Sequence, residues 1–267
     1  MEPCMFGMLC SSSSHGMQRP GSSAAPVSPL PASTNGQETE AESCSFCLEA
    51  ISWSQRQPAD YRDIVEKAIH DPAVVKAVQW VALAEAFCES VIRGGENAGT
   101  VACLCVFFIG RAKTTAFSWT LINTVRKWFH RREELLEAPE GCPRRWTAYV
   151  VLVTELFLGL RRIKATSDSV YLAALVCECS LVILWPTVGG NAEMECLWWT
   201  LTVAGQAVKN ATPRLMEMLI GRMRDAFLQS VVSPRARSTL LELIELHASG
   251  WKSSSAQMKY YYPHVHS

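Results

Sequence analysis

From residue 59 onward the chain consists of apolar runs with helical periodicity, separated by short polar breaks. Apolar side chains that recur every three or four residues lie on one stripe of an α-helix. Three such stripes follow prolines 72, 213 and 234, and their members are Ala77, Val81, Ala84, Cys88 and Val91, then Leu215, Leu219, Met223, Ala226 and Phe227, then Leu240, Leu243, Ile244 and His247. An amphipathic helix buries its apolar stripe against a neighbour. The pattern therefore predicts several helices packed together.

Helix boundaries can be placed from caps and breakers. Asp71, Thr212 and Ser233 each precede a proline, and a capping side chain followed by proline at the first helical position predicts a helix start. The glycines at 94–95 and Gly250 follow apolar stripes and predict helix ends.

Together these signals predict nine helices joined by short loops. We expect them near residues 60–70, 72–93, 96–111, 114–137, 143–164, 168–185, 191–210, 213–231 and 234–249. No strand-like alternation interrupts this series. The predicted fold class is all-α, an α-solenoid of stacked antiparallel helix pairs of the HEAT type.

Residues 1–58 have a different composition. Serine and proline dominate this segment, and acidic side chains cluster between Glu38 and Glu42. It has too little apolar surface to offset the entropy of ordering. We expect a disordered N-terminal arm over residues 1–58 and a helical-repeat domain over residues 59–267.

Composition narrows the functional class. Hydrophobic residues make up 49% of the chain, and 25 basic side chains balance 25 acidic ones. A formal net charge of zero argues against a general polyanion binder. Any electrostatic recognition must therefore be local.

Two apolar runs raise the question of membrane insertion. They extend from Trp146 to Leu160 and from Val170 to Val188, and each contains a carboxylate, Glu155 and Glu178. A charge at the centre of a bilayer costs about 2.5–3.5 kcal/mol on insertion scales. We expect buried helices of a soluble bundle, with membrane association as a weaker alternative.

The eleven cysteines indicate thiols rather than a disulfide framework. Their number is odd and the chain is long, so we expect a reducing compartment. Paired positions 103/105 and 177/179 predict buried core thiols. The spacing of Cys44 and Cys47 suits a metal or redox site but has no second ligand pair, and His264 and His266 fall in a predicted frayed tail. We predict no metal and no cofactor.

No catalytic motif is present, and the chain is predicted not to be an enzyme. The strongest local electrostatic feature is a set of basic side chains around two predicted helices. One interpretation is that they contact a protein partner or RNA. The other is that they form a solvated, salt-bridged surface. The candidate residues are Arg126, Lys127, Arg131, Arg132, Arg144, Arg145, Arg161 and Arg162, with Lys164 beside them. Because paired helices bring their ends together, Arg131-Arg132 and Arg144-Arg145 could lie along one rim of the fold, and Arg161-Arg162 could join them.

The C-terminal sequence resembles a known domain. The run 223–228, Met-Arg-Asp-Ala-Phe-Leu, is followed by the run 240–252, which ends in Ala-Ser-Gly-Trp-Lys, and by three tyrosines. These runs resemble the C-terminal end of the middle domain of eukaryotic translation initiation factor 4 gamma, as found in small single-domain adaptors. Upstream, Asp71-Pro72 and the element formed by Trp146, Tyr149 and Val150 also resemble parts of these adaptors. The residues that carry the match are Asp225, Phe227, Glu242, Glu245, Gly250, Trp251, Tyr260, Tyr261 and Tyr262.

The resemblance implies a non-enzymatic adaptor in translation initiation. Such a protein would link an mRNA-bound protein, either the histone mRNA stem-loop-binding protein or the cap-binding complex, to the initiation machinery. DEAD-box helicases and a second copy of the chain are further partners that the resemblance implies. We expect the cytoplasm as the location, with the nucleus as an additional compartment. The alternative function is direct RNA binding through the basic residues.

Overall fold

All regular structure in the described part of the chain is helical. The computed structural model describes residues 48–111, 115–137, 144–185, 190–229 and 232–261, and these contain no β-strand. The predicted all-α class is confirmed. The helices are α1 (residues 48–55), α2 (Ala59–His70), α3 (Ala77–Ile92), α4 (Ala98–Arg111), α5 (Ala116–His130), α6 (Arg132–Leu136), α7 (Arg144–Arg162), α8 (Thr166–Ile183), α9 (Asn191–Ala211), α10 (Pro213–Leu228), α11 (Pro234–Ala248) and α12 (Ser255–Tyr261).

The three predicted caps behave differently. Ser233 Oγ accepts from the backbone N–H of Ala236 at 3.2 Å, so it caps α11 as expected. Helix α10 does begin at Pro213, but the Thr212 hydroxyl donates back to Val208 O instead of capping. The predicted cap at Thr212 is therefore wrong, because its side chain turns toward the preceding helix.

Asp71 caps a shorter element than expected. Its carboxylate accepts from Ala73 N at 3.0 Å, but the turn that follows is a 3-10 turn over Pro72–Val74. Val75 is extended, and α3 begins only at Ala77. The predicted single helix over 72–93 is therefore two elements.

The predicted helix over 114–137 is also divided. Arg131 leaves the helical conformation, and its N–H is shared between Lys127 O and Trp128 O, each at 3.1 Å. The bond to Trp128 O spans three residues instead of four, so the last turn is tighter than an α-helical turn. Helix α5 ends there at His130, and the short α6 follows.

The folded chain begins earlier than residue 59. Residues 48–55 are helical, and the side chains of Ala50 and Trp53 are buried. The Trp53 ring lies 4.4 Å from that of Phe87 on α3, and its indole N–H donates to Ser90 Oγ at 3.3 Å. A single tryptophan in a Ser-rich context gives no periodicity by which its burial could be recognised. Residues 1–47, with Cys44 and Cys47, lie outside the described residues.

The described residues fall into two compact units, and residues 48–168 form the first. In it α3 packs along α5, and α4 packs along α7, so helices that are not consecutive in sequence become neighbours. Four fully buried aromatic rings, those of Trp80, Phe87, Phe108 and Phe117, join three of these helices. Such rings supply large buried areas.

Residues 169–261 form the second unit. Here α9, α10 and α11 pack against one another. Their facing stripes are buried, and they include Leu197, Leu201, Leu219, Met223, Leu240 and Leu243. The predicted stripes of α10 and α11 are thus largely the packed faces, although Leu215, Phe227, Ile244 and His247 are only half-buried.

The stripe predicted for α3 is partly wrong. Ala77 and Val81 are exposed, whereas Trp80, Leu83 and Phe87 are buried. The helix begins five residues later than expected, and it packs against several partners. Its buried arc is therefore wider than one stripe and rotated toward the aromatic side chains.

The buried thiols agree with the sequence prediction. All six cysteines in the described ranges are buried and form no disulfide bond, and they are Cys88, Cys103, Cys105, Cys177, Cys179 and Cys196. Positions two apart on a helix point in different directions, and both are buried here because α4 and α8 are covered on most sides. In the part of the chain that the structure describes, no helix has the length and apolar character needed to cross a membrane.

Candidate partner-binding surfaces

An open groove lies between α3 and α5 in the first unit. It has a volume of about 440 Å³ and an apolar end and a basic end. We call it the α3–α5 groove. Its lining residues are Val81, Trp119, Thr120, Asn123, Thr124, Arg126, Lys127 and His130.

The sequence of α5 explains why this face is open. Trp119, Asn123, Arg126 and His130 are spaced by four, three and four residues, so they lie on one side of the helix. The side chains that pack against the core occupy the other side, and they are Phe117, Leu121, Val125 and Trp128. Trp119 is 68% exposed although its side chain is large and mostly apolar.

Two of the predicted basic residues line the groove. The Arg126 Nε–H donates to the imidazole Nε2 of His130 at 3.4 Å. Lys127 lies 3.4 Å from a carboxylate oxygen of Glu85 on α3, and both side chains are at least half exposed. Contacts this long and this exposed are weak and easily exchanged for others.

Arg131 is engaged within its own helical segment. Its guanidinium makes two 2.7 Å hydrogen bonds to the Glu134 carboxylate and lies 5.1 Å from the Trp128 ring centroid. The hydrogen bond from Arg131 holds the pKa of Glu134 below its ordinary value. Arg93 approaches the Trp128 ring at 5.2 Å. The charge of Arg131 is therefore largely balanced locally.

Arg132 is only partly exposed, and it lies over the Phe129 ring at 5.1 Å while donating to Phe129 O. It is thus held against the end of α5.

The remaining basic candidates lie on α7. Arg144 and Arg145 begin this 19-residue helix, and Arg161 and Arg162 end it. At a rise of 1.5 Å per residue, the two ends are about 27 Å apart. One rim therefore cannot include both the Arg144-Arg145 pair and the Arg161-Arg162 pair, which lie at opposite ends of the same helix. Lys164 follows the helix end with a positive φ of 58°.

The residues that carry the C-terminal resemblance lie in the second unit. Gly250, two residues after the end of α11, takes a φ of +69°, and Trp251 follows with a φ of +64°. This reversal folds the indole back over α9, where a Cβ on Gly205 would lie 2.0 Å from the Trp251 ring. Only glycine at position 205 leaves room for the ring, which also meets His247 edge-on at 5.7 Å.

The two glutamates of α11 hold neighbouring elements. Glu242 accepts from the Trp198 indole N–H of α9 at 2.9 Å. Glu245 accepts from the Tyr261 hydroxyl of α12 at 3.0 Å. Burial and this hydrogen bond raise the pKa of Tyr261. These residues therefore join helices of the second unit.

A second open groove borders these elements. It is lined by Phe227, Val232, Pro234, Arg237, Ser238, Leu241 and Tyr260, and we call it the α10–α12 groove. Arg237 lies 6.0 Å from the Phe227 ring centroid and donates to Gln229 O. Tyr260 is exposed and meets Tyr261 edge-on at 4.9 Å. Asp225 is exposed on α10, and Tyr262, His264 and His266 lie outside the described residues.

Sequence reasoning missed the apolar half of the α3–α5 groove. Helical periodicity assigns Val81 to the packed stripe of α3, and it does not single out Trp119. The available signal was that Trp119 shares a helical face with Asn123 and Arg126 rather than with Phe117 and Leu121. Within the described residues, no three His, Cys, Asp or Glu side chains come together as metal ligands would.

Comparison with known proteins gives named relatives. The MIF4G domain-containing protein of Rattus norvegicus is 30% identical over 158 residues, which is 58% of this chain and 68% of the relative. The protein of the same name from Homo sapiens is 29% identical over the same length. The CBP80/20-dependent translation initiation factor of Xenopus tropicalis is 28% identical over 148 residues, but these make up only 25% of that protein. No family model matches the chain.

Proposed function

Because the chain belongs to the family of MIF4G domain-containing proteins, we propose that it is a non-enzymatic adaptor in the regulation of translation initiation. The observation that carries this proposal is the likeness to these relatives, one of which is named as a translation initiation factor. The structure supports it with two open grooves on a helical framework. Open, partly apolar surfaces suit protein partners.

The proposed adaptor links an mRNA-bound protein to the initiation machinery. By resemblance, the mRNA-bound partner is the histone mRNA stem-loop-binding protein or the cap-binding complex; the latter is in keeping with the name of the CBP80/20-dependent relative. A DEAD-box helicase and a second copy of the chain are further proposed partners. The proposed location is the cytoplasm, with the nucleus as an additional compartment.

Two measurements test the adaptor function. In the first, the tagged full chain is used for affinity capture from lysate treated with nuclease, so that RNA cannot bridge proteins. Initiation factors or an mRNA-binding protein should be retained. In the second, the full chain is tethered to a reporter mRNA, and the reporter should be translated at a changed rate. Capture without any such factor, together with an unchanged reporter, would remove the proposal.

The alternative function is direct RNA binding, and the observation that favours it is that Arg126 and Lys127 line the same groove as the exposed ring of Trp119. Stacking on an aromatic ring beside basic groups is a common way to hold single strands. The affinity should then fall with salt by about 0.7 log units per log unit of salt for each phosphate contact. If Arg126→Glu with Lys127→Glu leaves retention of a single-stranded oligonucleotide unchanged, this alternative is rejected.

A further inference from the structure

The two walls of the α3–α5 groove differ in charge. On the α5 wall, Arg126 and Lys127 follow one another, and Arg126 is hydrogen-bonded to an imidazole rather than to a carboxylate. On the α3 side, Glu85 is half exposed and lies 3.4 Å from Lys127, so it borders the groove at its basic end. An occupant that carries carboxylates on one side only would complement this arrangement, since negative charge is favoured at the α5 wall and disfavoured at the α3 wall.

The apolar end of the groove provides an anchor point. Val81 and Trp119 line it, and Val78, one turn earlier on α3, is 79% exposed. Large apolar side chains that face water in one place mark an interaction surface. Tryptophan is also among the residues that contribute most to binding in protein interfaces.

The length of the groove suits a helix. Trp119 and His130 are eleven residues apart on α5, which corresponds to about 16 Å at 1.5 Å per residue. A partner helix of three turns covers this distance, with apolar anchors spaced three or four residues apart on one face. Its adjoining face can then present carboxylates to Arg126 and Lys127.

We infer that the α3–α5 groove is a docking site for an acidic amphipathic helix of a partner protein, with its apolar anchor at Trp119 and its carboxylates at Arg126 and Lys127. This inference rests on the proposed adaptor function and adds the chemistry of the partner segment. RNA fits the groove less well. Its phosphates are spread evenly along the strand, so some of them would lie close to Glu85.

The test begins with a displayed library of random 16-residue peptides, selected on the full chain. Enriched peptides should carry a net negative charge, with apolar residues at helical spacing. These peptides are then synthesised and their binding is measured by fluorescence anisotropy. Trp119→Ala, and separately Arg126→Glu with Lys127→Glu, should each weaken binding at least tenfold.

The control variants change matched exposed residues on α10, and they are Met218→Ala and Arg214→Glu. These should bind the peptides as the wild type does. All variants should keep the wild-type thermal midpoint, because Trp119, Arg126 and Lys127 lie outside the core. Raising the salt from 0.05 to 0.3 M should weaken wild-type binding and leave the charge-reversed variant nearly unaffected.

Four results would overturn the inference. The enriched peptides could be neutral or basic, or they could bind the groove variants as tightly as the wild type. A single-stranded oligonucleotide could compete with the peptides and depend on the same residues, which would assign the groove to RNA. Self-association of the full chain, abolished by the groove substitutions, would assign it to a second copy.

The tethered reporter separates failure of this inference from failure of the adaptor function. If the wild type and the groove variants change reporter translation equally, the adaptor function stands, and the groove inference fails if the variants also bind the peptides as tightly as the wild type. If the wild type has no effect on the reporter and captures no initiation factor or mRNA-binding protein, the adaptor function fails regardless of the peptide results. An effect of the wild type that the groove variants lose, and that the α10 controls keep, supports both.

Discussion

Glu155 is a carboxylate within an otherwise apolar stretch of α7. Only 7% of the residue is exposed, and burial raises the pKa of its side chain above the ordinary value of 4.5, although the attraction of Arg162 partly opposes this. Burial disfavours the charged form. In the sequence, this carboxylate is evidence against a membrane span. In the structure, its burial destabilises the folded protein whenever the side chain is charged.

Replacing Glu155 with glutamine should stabilise the protein at pH 7. Since the pKa is raised in the folded state, the wild type loses stability as the pH rises from about 4.5 through the folded pKa. The variant lacks this loss. Chemical denaturation should show that the variant has a higher free energy of unfolding than the wild type at pH 7, and that the difference is smaller at pH 4. The control is Glu178→Gln on α8, where the side chain is exposed; an equal gain there would contradict the explanation.

Gly205 and Gly221 form a matched pair of helical glycines in the second unit. A Cβ on Gly205 would lie 2.0 Å from the Trp251 ring, whereas a Cβ on Gly221 meets nothing within 4 Å. Gly205→Ala should therefore lower the free energy of unfolding by about 1–3 kcal/mol through overpacking. Gly221→Ala should raise it by about 1 kcal/mol, because alanine favours the helix. Denaturation curves check both, and a stabilised Gly205→Ala would show that Trp251 does not lie there.

At the scale of elements, the residues at the junctions between helices differ in whether they cap the next helix. The Ser233 hydroxyl satisfies an N–H at the start of α11, whereas the Thr212 hydroxyl bonds backward into α9. Ser233→Ala should cost about 1 kcal/mol of stability. Thr212→Val should cost less, since no helix start depends on it. Denaturation midpoints compare the two, and equal losses would mean that capping is not the cause.

The last helix, α12, is held to α11 by the Tyr261 hydroxyl and Glu245. Tyr261→Phe should cost about 0.5–1.5 kcal/mol at pH 7, the usual contribution of such a bond. Burial, followed by the bond to Glu245, raises the pKa of Tyr261. The stabilisation is therefore complete below about pH 10 and is lost as the pH rises toward the folded pKa.

Denaturation between pH 7 and pH 11 measures this effect. The wild type should lose more stability over that range than Tyr261→Phe does. Tyr260→Phe removes an exposed hydroxyl and is the control. If both variants follow the same pH profile, the bond to Glu245 does not stabilise α12.

At the scale of the whole molecule, buried thiols are found in both units. Burial raises the pKa of Cys88 and of Cys196 to about 12 and that of Cys177 to about 11. A thiol reagent needs the exposed thiolate. The six described cysteines should therefore react only when the surrounding structure opens.

The measurement uses a variant in which serine replaces the five cysteines outside the described residues, at positions 4, 10, 44, 47 and 142. Its labelling by a thiol reagent should be slow in native buffer and should accelerate with denaturant in parallel with unfolding. The fully denatured variant gives the reference of six reactive thiols. Rapid labelling of any of them in native buffer would contradict their burial.

The sequence by itself determined the helical class and most of the helix positions. Helical periodicity and breakers such as Pro213, Pro234 and Gly250 act within a few residues, so they can be recognised locally. The C-terminal runs also resemble the family closely enough to indicate it from residue order alone. Local patterns could not foresee the break at Arg131, the late start of α3 or the helical residues 48–55.

The tertiary structure alone decided which faces are buried and which residues meet. Trp53 and Trp119 are both tryptophans in helices, yet one is buried against Phe87 and the other is exposed in the α3–α5 groove. Likewise, Arg126 and Lys127 share that groove, whereas Arg145 and Arg161 lie at opposite ends of α7. The physical reason is that helix formation depends on neighbours in sequence, whereas burial and convergence depend on packing between helices distant in sequence.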